Sequence, residues 1–262
     1  MEREELGSYL KRISERMFGR PSAYPDTQTE RPVYPIGVIV ADLSRLKEPD
    51  WAEYAFSREP LRGKLDHGQR LALTVEALTC GAATADHLAA QHQTSNPAEL
   101  ARKLGLDLAY PTMPQDVSRV LFAEFRPPKQ INVFADGLDK AKALLGQPGV
   151  AEILGGELPI DQILIAHELF HYIEEEQKDI WPKTYKIKLW GLGPIQNFST
   201  ISVLSEIAAM GFCKRLTHLP HSPYLLDAFL MYGYSPAAAS GLYEEMMTLA
   251  GQPLPNAKEQ GA

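Results

Sequence analysis

The chain has 262 residues, 45% of them hydrophobic and 23% charged, with a net charge of −7. That size and balance describe an ordinary globular protein with room for a sizeable core. An acidic balance without a long basic run argues against the phosphate backbone of nucleic acid as a direct partner.

Two cysteines, Cys80 and Cys213, lie far apart and without CxxC spacing. They suggest neither a disulfide framework nor a cysteine zinc site, and point to a reducing, cytoplasmic setting. The charged start MEREELGSYLKR does not read as a secretory signal. No run reaches the roughly 18 apolar residues of a membrane span, so no membrane partner is expected.

In chain order, residues 2–18 (EREELGSYLKRISERMF) read as a helix, and 19–35 as a Pro-rich polar arm. IGVIVADL at 36–43 reads as a short strand, and SRLKEPDWAEYAF begins another helix. Residues 65–93 are rich in Ala and Leu and predict helices. SNPAELARKLGL at 95–106 carries a helix start, with Ser95 or Asn96 as cap, Pro97 in the first turn and Glu99 soon after; Gly105 ends it. LDLAY predicts a strand. VLFAEF and QINVFAD, separated by RPPK, predict a hairpin. The connection 137–158 reads as loop-rich with one short helix. Pro159 and Asp161 open a helix containing LIAHELFHYIEE, and a mixed stretch ends at Trp190. STISVLSEIAAMGFCKRL, about 199–216, predicts a further helix. LPHSP breaks the chain, two shorter helices follow, and PLPNAKEQGA reads as a frayed tail. This divides the chain into an N-terminal helical extension with its linker (1–94), a principal domain (95–250) and a tail (251–262).

The chemistry concentrates in His167, Glu168 and His171. Helical residues four apart lie on one face, so the two imidazoles can bind one zinc ion together. Glu168 lies about 100° round the axis from His167. From there it can act as base on a water at the metal without being a ligand, which is the physical content of HExxH. The competing reading is a buried helix with two hydrogen-bonded core histidines, and Ile163, Leu164, Leu169 and Ile173 fit it. It needs several buried partners for the two rings and the carboxylate.

Zinc requires a third protein ligand. A local third histidine, as in HExxHxxGxxH, is absent, because Glu174 and Gln177 occupy the relevant positions. Glu174 itself opens the run EEEQKD and reads better as a surface carboxylate. Glu206 lies among Val203, Leu204, Ile207, Met210 and Gly211, where a lone carboxylate needs a cation or a hydrogen-bonding partner. A boundary position facing water is its alternative.

With these residues in order, the stretch 95–223 resembles the gluzincin metallopeptidases, and more narrowly the ImmA/IrrE-like zinc peptidases. The resemblance is carried by ELARKLGLDLAY, the strand QINVFAD, the HExxH helix, and a later helix with Glu206, Ala209 and Phe212 followed by Leu216 and Pro220. It implies an α+β, zincin-like fold, with a small mixed sheet packed on an HExxH helix and a glutamate helix. It further implies one Zn2+ held by His167, His171 and Glu206, with Glu168 as catalytic base. The implied activity is cleavage of a protein or peptide substrate, in this family often a helix-turn-helix repressor. Gluzincins commonly add a Tyr or His that stabilises the oxyanion, for which Tyr172, His218, His221, Tyr232 and Tyr234 are candidates. QINVFAD is then expected at the sheet edge, where an extended substrate can pair. Trp181 and Trp190 are expected to pack on the HExxH helix. The alternative in a different class is a regulatory or protein-interaction module that keeps the fold and metal and cuts nothing.

Overall fold

The computed structural model describes residues 32–112, 120–156, 158–192 and 195–255. The helix expected at 2–18, most of the Pro-rich arm and the end of the tail lie outside them.

The first described helix, α1 (Ile36–Leu43), occupies the segment expected to be a strand. Its buried residues are Ile36, Ile39, Val40 and Leu43, a spacing of three and four that only a helix turns to one side. The β-branched run gave a strand signal; burial on a helical face overrides it. A 3-10 turn (Glu48–Trp51) leads into α2 (Ala52–Phe56). The Ala- and Leu-rich stretch then forms one long helix, α3 (His67–His92). Asp66 caps it, accepting from Gln69 N–H at 2.8 Å, while the Gln69 side chain accepts from Asp66 N–H at 2.9 Å. Asn96 caps α4 (Pro97–Lys103).

Three short strands follow: β1 (Asp107–Ala109), β2 (Ala123–Arg126) and β3 (Gln130–Val133). β2 and β3 form the expected hairpin, and β1 pairs with β3 in parallel. The order β1-β3-β2 makes β3 the central strand and β2 an edge. The expectation that QINVFAD forms the edge is therefore corrected, since its backbone groups are used on both sides. The connection that read as loop-rich is mainly helical, as α5 (Ala135–Leu145) and α6 (Val150–Ile153). Gly137, Ala141 and Leu144 bury one face of α5, although small residues at two of these positions weaken the apolar signal.

The HExxH segment is α7 (Ile160–Glu176). After the one-turn helix α8 (Trp181–Thr184), an antiparallel hairpin intervenes, β4 (Lys186–Leu192) and β5 (Ile195–Thr200). The glutamate helix, α9 (Val203–Thr217), therefore starts later than expected. α10 (Leu225–Tyr232) and α11 (Pro236–Leu249) are the two closing helices.

The result is a mixed α+β protein. α7 lies against β2 and β3 on one side and against α9 on the other, and α9 is in turn packed along α3. The α3–α9 approach is close because glycines face backbone. A Cβ on Gly81 would lie 1.9 Å from the Ala208 carbonyl oxygen, and one on Gly211 would lie 2.4 Å from that of Leu78. One hydrophobic core runs from Tyr34 to Met247, through both sides of residue 94. Trp190 is 53% exposed on β4 and does not pack on α7 as expected; α8, which carries Trp181, packs against α3 and α9. Among the described residues no helix is long and apolar enough to cross a membrane.

Candidate metal centre

α7 is buried almost all round, with His167, Glu168 and Glu174 among its buried residues. Isolated ionisable groups are costly in such a setting, so each must answer to another. The partner element is α9, and its placement is closely determined. Glu59 accepts from the Ser202 hydroxyl at 2.9 Å and from Val203 N–H at 3.1 Å, holding the first turn. The glycine crossing fixes its distance from α3. The buried Cys213 thiol donates to the Ile163 carbonyl at 3.3 Å, tying α9 to α7.

This brings Glu206 to the two histidines. His167 Nε2 lies 3.1 Å from His171 Nε2. The nearer Glu206 oxygen, Oε2, is 3.4 Å from His167 Nε2 and 3.6 Å from His171 Nε2. Among the described residues, this is the one group of three or more His, Cys, Asp or Glu side chains whose ligand atoms lie within 4.8 Å of one another. Tetrahedral ligands at about 2.0–2.1 Å from a zinc ion stand about 3.3 Å apart, which is the spacing found. Both Glu206 oxygens are buried without a hydrogen bond. Two imidazole nitrogens and an orphaned carboxylate converging in this way fit a divalent metal, and the group is compatible with a metal site. Burial opposes charge on both partners. Glu206 nonetheless raises His171 to about 10, and the histidines hold the Glu206 carboxyl well below its usual range.

Glu168 stands apart from the ligand trio. Its Oε2 accepts from the Phe125 N–H of edge strand β2 at 2.6 Å, and its Oε1 has no partner. Burial pushes its carboxyl up, tempered by His167, His171 and the Phe125 bond. The carboxylate is therefore oriented by the sheet through one oxygen, with the other left without a partner.

Glu174, expected at the surface, is 6% exposed, and this is a correction. Its Oε2 accepts from the Ser205 hydroxyl at 2.6 Å, and its own carbonyl accepts from Lys183 Nζ. It lies 3.7 Å from His171 Nδ1, the ring nitrogen opposite the one that faces Glu206. At that distance it is an electrostatic neighbour of the ring and not a hydrogen-bond partner, and His171 Nδ1 is buried without one.

The residues considered for oxyanion stabilisation are spread widely. Tyr172 packs edge-to-face on Phe125 with ring centroids 5.8 Å apart. Tyr234 donates to Asp136 at 2.6 Å. Tyr232 ends α10, partly buried against the core. His218 caps the far end of α9, roughly 18 Å along the axis from Glu206. His221 is buried in the electrostatic reach of Lys214 and Glu48, which also belong to that far end.

Sequence reasoning missed a buried group on the α10 side. Asp227 accepts from the Tyr54 hydroxyl at 2.8 Å, and burial pushes its carboxyl up to about 7. His167 and Glu206 both act on it electrostatically. The Tyr224 hydroxyl is buried without a partner, its ring stacked on Trp51. The signal that pointed to Glu206, a lone carboxylate in an apolar helix, was equally present at Asp227 in LLDAFL.

No protein-family model, curated protein or solved structure matches this chain.

Proposed function

We propose that this protein is a zinc-dependent endopeptidase on a zincin-like fold, acting on a specific polypeptide such as a helix-turn-helix repressor. The observation that carries the reading is the trio His167, His171 and Glu206, with ligand atoms 3.1–3.6 Å apart beside a separately held, buried Glu168. Two neutral imidazoles and one carboxylate are a donor set that suits zinc, with a position left for water or substrate. Zinc in such a site supplies Lewis acidity, lowering the pKa of water and polarising a carbonyl.

The chain's own residues supply the rest. Glu168 takes a proton from the attacking water on Oε1 and returns it to the leaving amine, with Oε2 pinned by Phe125. Glu174, held by the Ser205 hydroxyl, stands 3.7 Å behind His171 Nδ1, where its charge favours the ring orientation that turns Nε2 toward Glu206. The family part of the reading rests on the resemblance of 95–223 to the ImmA/IrrE-like peptidases.

Two substitutions test it. Glu206→Gln is expected to lose zinc measured by metal analysis after dialysis, whereas Glu168→Gln is expected to keep one equivalent and lose cleavage. Full zinc retention by Glu206→Gln would overturn the ligand set. Full cleavage by Glu168→Gln would overturn the mechanism.

A further inference from the structure

The β4–β5 hairpin contributes no residue to the candidate metal centre. It lies in the chain between α8 and α9, with Thr200 at its base six residues before Glu206, and β5 packs against α8. It forms a sheet of only two strands, so among the described residues the outer edge of each is unpaired with any other strand. Isolated hairpins of this kind are marginal in water and gain from a third strand. Its side chains are also unusual for a free surface. Trp190 and Phe198 are 53% and 50% exposed. Lys186 stands across from Thr200, and Lys188 across from Phe198. Both lysines are exposed, and neither forms an ion pair among the described residues. Residues 178–205 carry four lysines and one aspartate in a chain whose net charge is −7.

We propose that this hairpin docks an acidic, extended segment of the polypeptide substrate, which adds as a third strand beside β4 or β5. The inference rests on the peptidase reading and names the substrate class for that site. Backbone pairing at an open edge gives an extended polypeptide its affinity, and alternate side chains give it specificity. Exposed aromatics are typical anchors of protein interfaces. The unpaired lysines favour an acidic partner, and the acidic remainder of the chain repels that partner elsewhere. A lipid surface or a single-stranded nucleic acid would meet the same lysines and rings but has no backbone to pair with the strand edges.

The experiment uses the full chain bearing Glu168→Gln, loaded with zinc, and fluorescently labelled poly(Glu,Tyr) as probe, read by anisotropy. Saturable binding is expected, with protection of β4 or β5 amides from hydrogen exchange in the complex. Trp190→Ala and Phe198→Ala should each weaken it about fivefold or more. Lys186→Glu combined with Lys188→Glu should weaken it about tenfold or more. These residues are exposed, so zinc content is expected to stay unchanged in every variant. Four outcomes would overturn the proposal: absence of binding, equal binding by the variants, equal binding to poly(Lys,Tyr), or preferential binding to phosphatidylserine vesicles or oligo-dT. Zinc stoichiometry is read on the same samples. Loss of docking with zinc retained sinks only this inference, whereas an inability to bind zinc sinks the peptidase reading.

Discussion

Replacing Gly81 by Ala sets two effects against each other. In an exposed helix the change is worth about 1 kcal/mol in favour of the variant, because Ala loses less backbone entropy on folding. Here the new Cβ would stand 1.9 Å from the Ala208 carbonyl oxygen, 2.7 Å from Phe212 N and 2.8 Å from the Ala208 carbonyl carbon. All three are backbone atoms of α9, so no side chain can turn aside. Restoring ordinary contact requires α3 and α9 to separate by about 1.5 Å. Overpacking costs typically 1–3 kcal/mol even where side chains can adjust. A separation borne by two helices belongs at or above the top of that range, leaving a net loss of about 2 kcal/mol. The assay is urea denaturation, with Gly68→Ala as control, because a Cβ at Gly68 meets only Asp66 Oδ1 at 3.4 Å. The control is expected to be neutral or stabilising. Zinc affinity should fall in Gly81→Ala, since α9 carries Glu206 while the histidines stay on α7. A Gly81→Ala protein as stable as the parent, binding zinc as tightly, would refute the close helix crossing and its role in placing the ligand.

Two other substitutions probe the surroundings of the site. Asp227 has a folded pKa of about 7 against an ordinary 3.8, so the native state binds more protons than the unfolded state between those values. Stability from this group is thus lost as pH rises from about 4 to about 7, by at most about 4 kcal/mol. Asp227→Asn keeps an acceptor for Tyr54 and removes the charge, so its stability relative to the parent should grow over that window and level off above it. Urea midpoints at pH 5 and pH 8 that differ equally from the parent would contradict this. Glu174→Gln should weaken zinc binding about tenfold without abolishing it, as expected of a carboxylate behind a ligand. An emptied site in competition titration would make Glu174 a ligand after all.

The parts of the site legible in the sequence were those written into one helix. HExxH needs only helical spacing, and Glu206 announced itself as a charge among apolar neighbours. Glu174 did not, because its local sequence EEEQKD has the look of a solvated end. What buries it is Ser205 and Lys183, supplied by α9 and α8, and no local pattern reports on those. The strand expectation for α1 fails for the opposite reason: nearly all its residues are apolar, so no polar face marks the helical period. The β4–β5 hairpin left a trace in the alternation Lys186-Ile187-Lys188-Leu189. An irregular register between Lys188 and Trp190 breaks that alternation where a second repeat would have confirmed it.

Contacts that cross the boundary expected at residue 94 bear directly on the candidate site. His167 and His171 share one helix, and their relative position is set by helix geometry alone. The third member of the trio, Glu206, belongs to α9, so assembling the trio depends on how α9 sits against α7. Two of the constraints on that placement come from before residue 94: Glu59 holds the first turn of α9, and Gly81 admits its backbone to close range. Tyr54, from the same region, also supplies the hydrogen bond that satisfies Asp227 behind the site. Tyr54, Glu59 and Gly81 therefore act on the candidate site as scaffold, through packing and capping, without belonging to the trio. A cation held by both helices would in turn stabilise the arrangement in which α3, α9 and α7 pack together, by an amount set by its concentration relative to its dissociation constant.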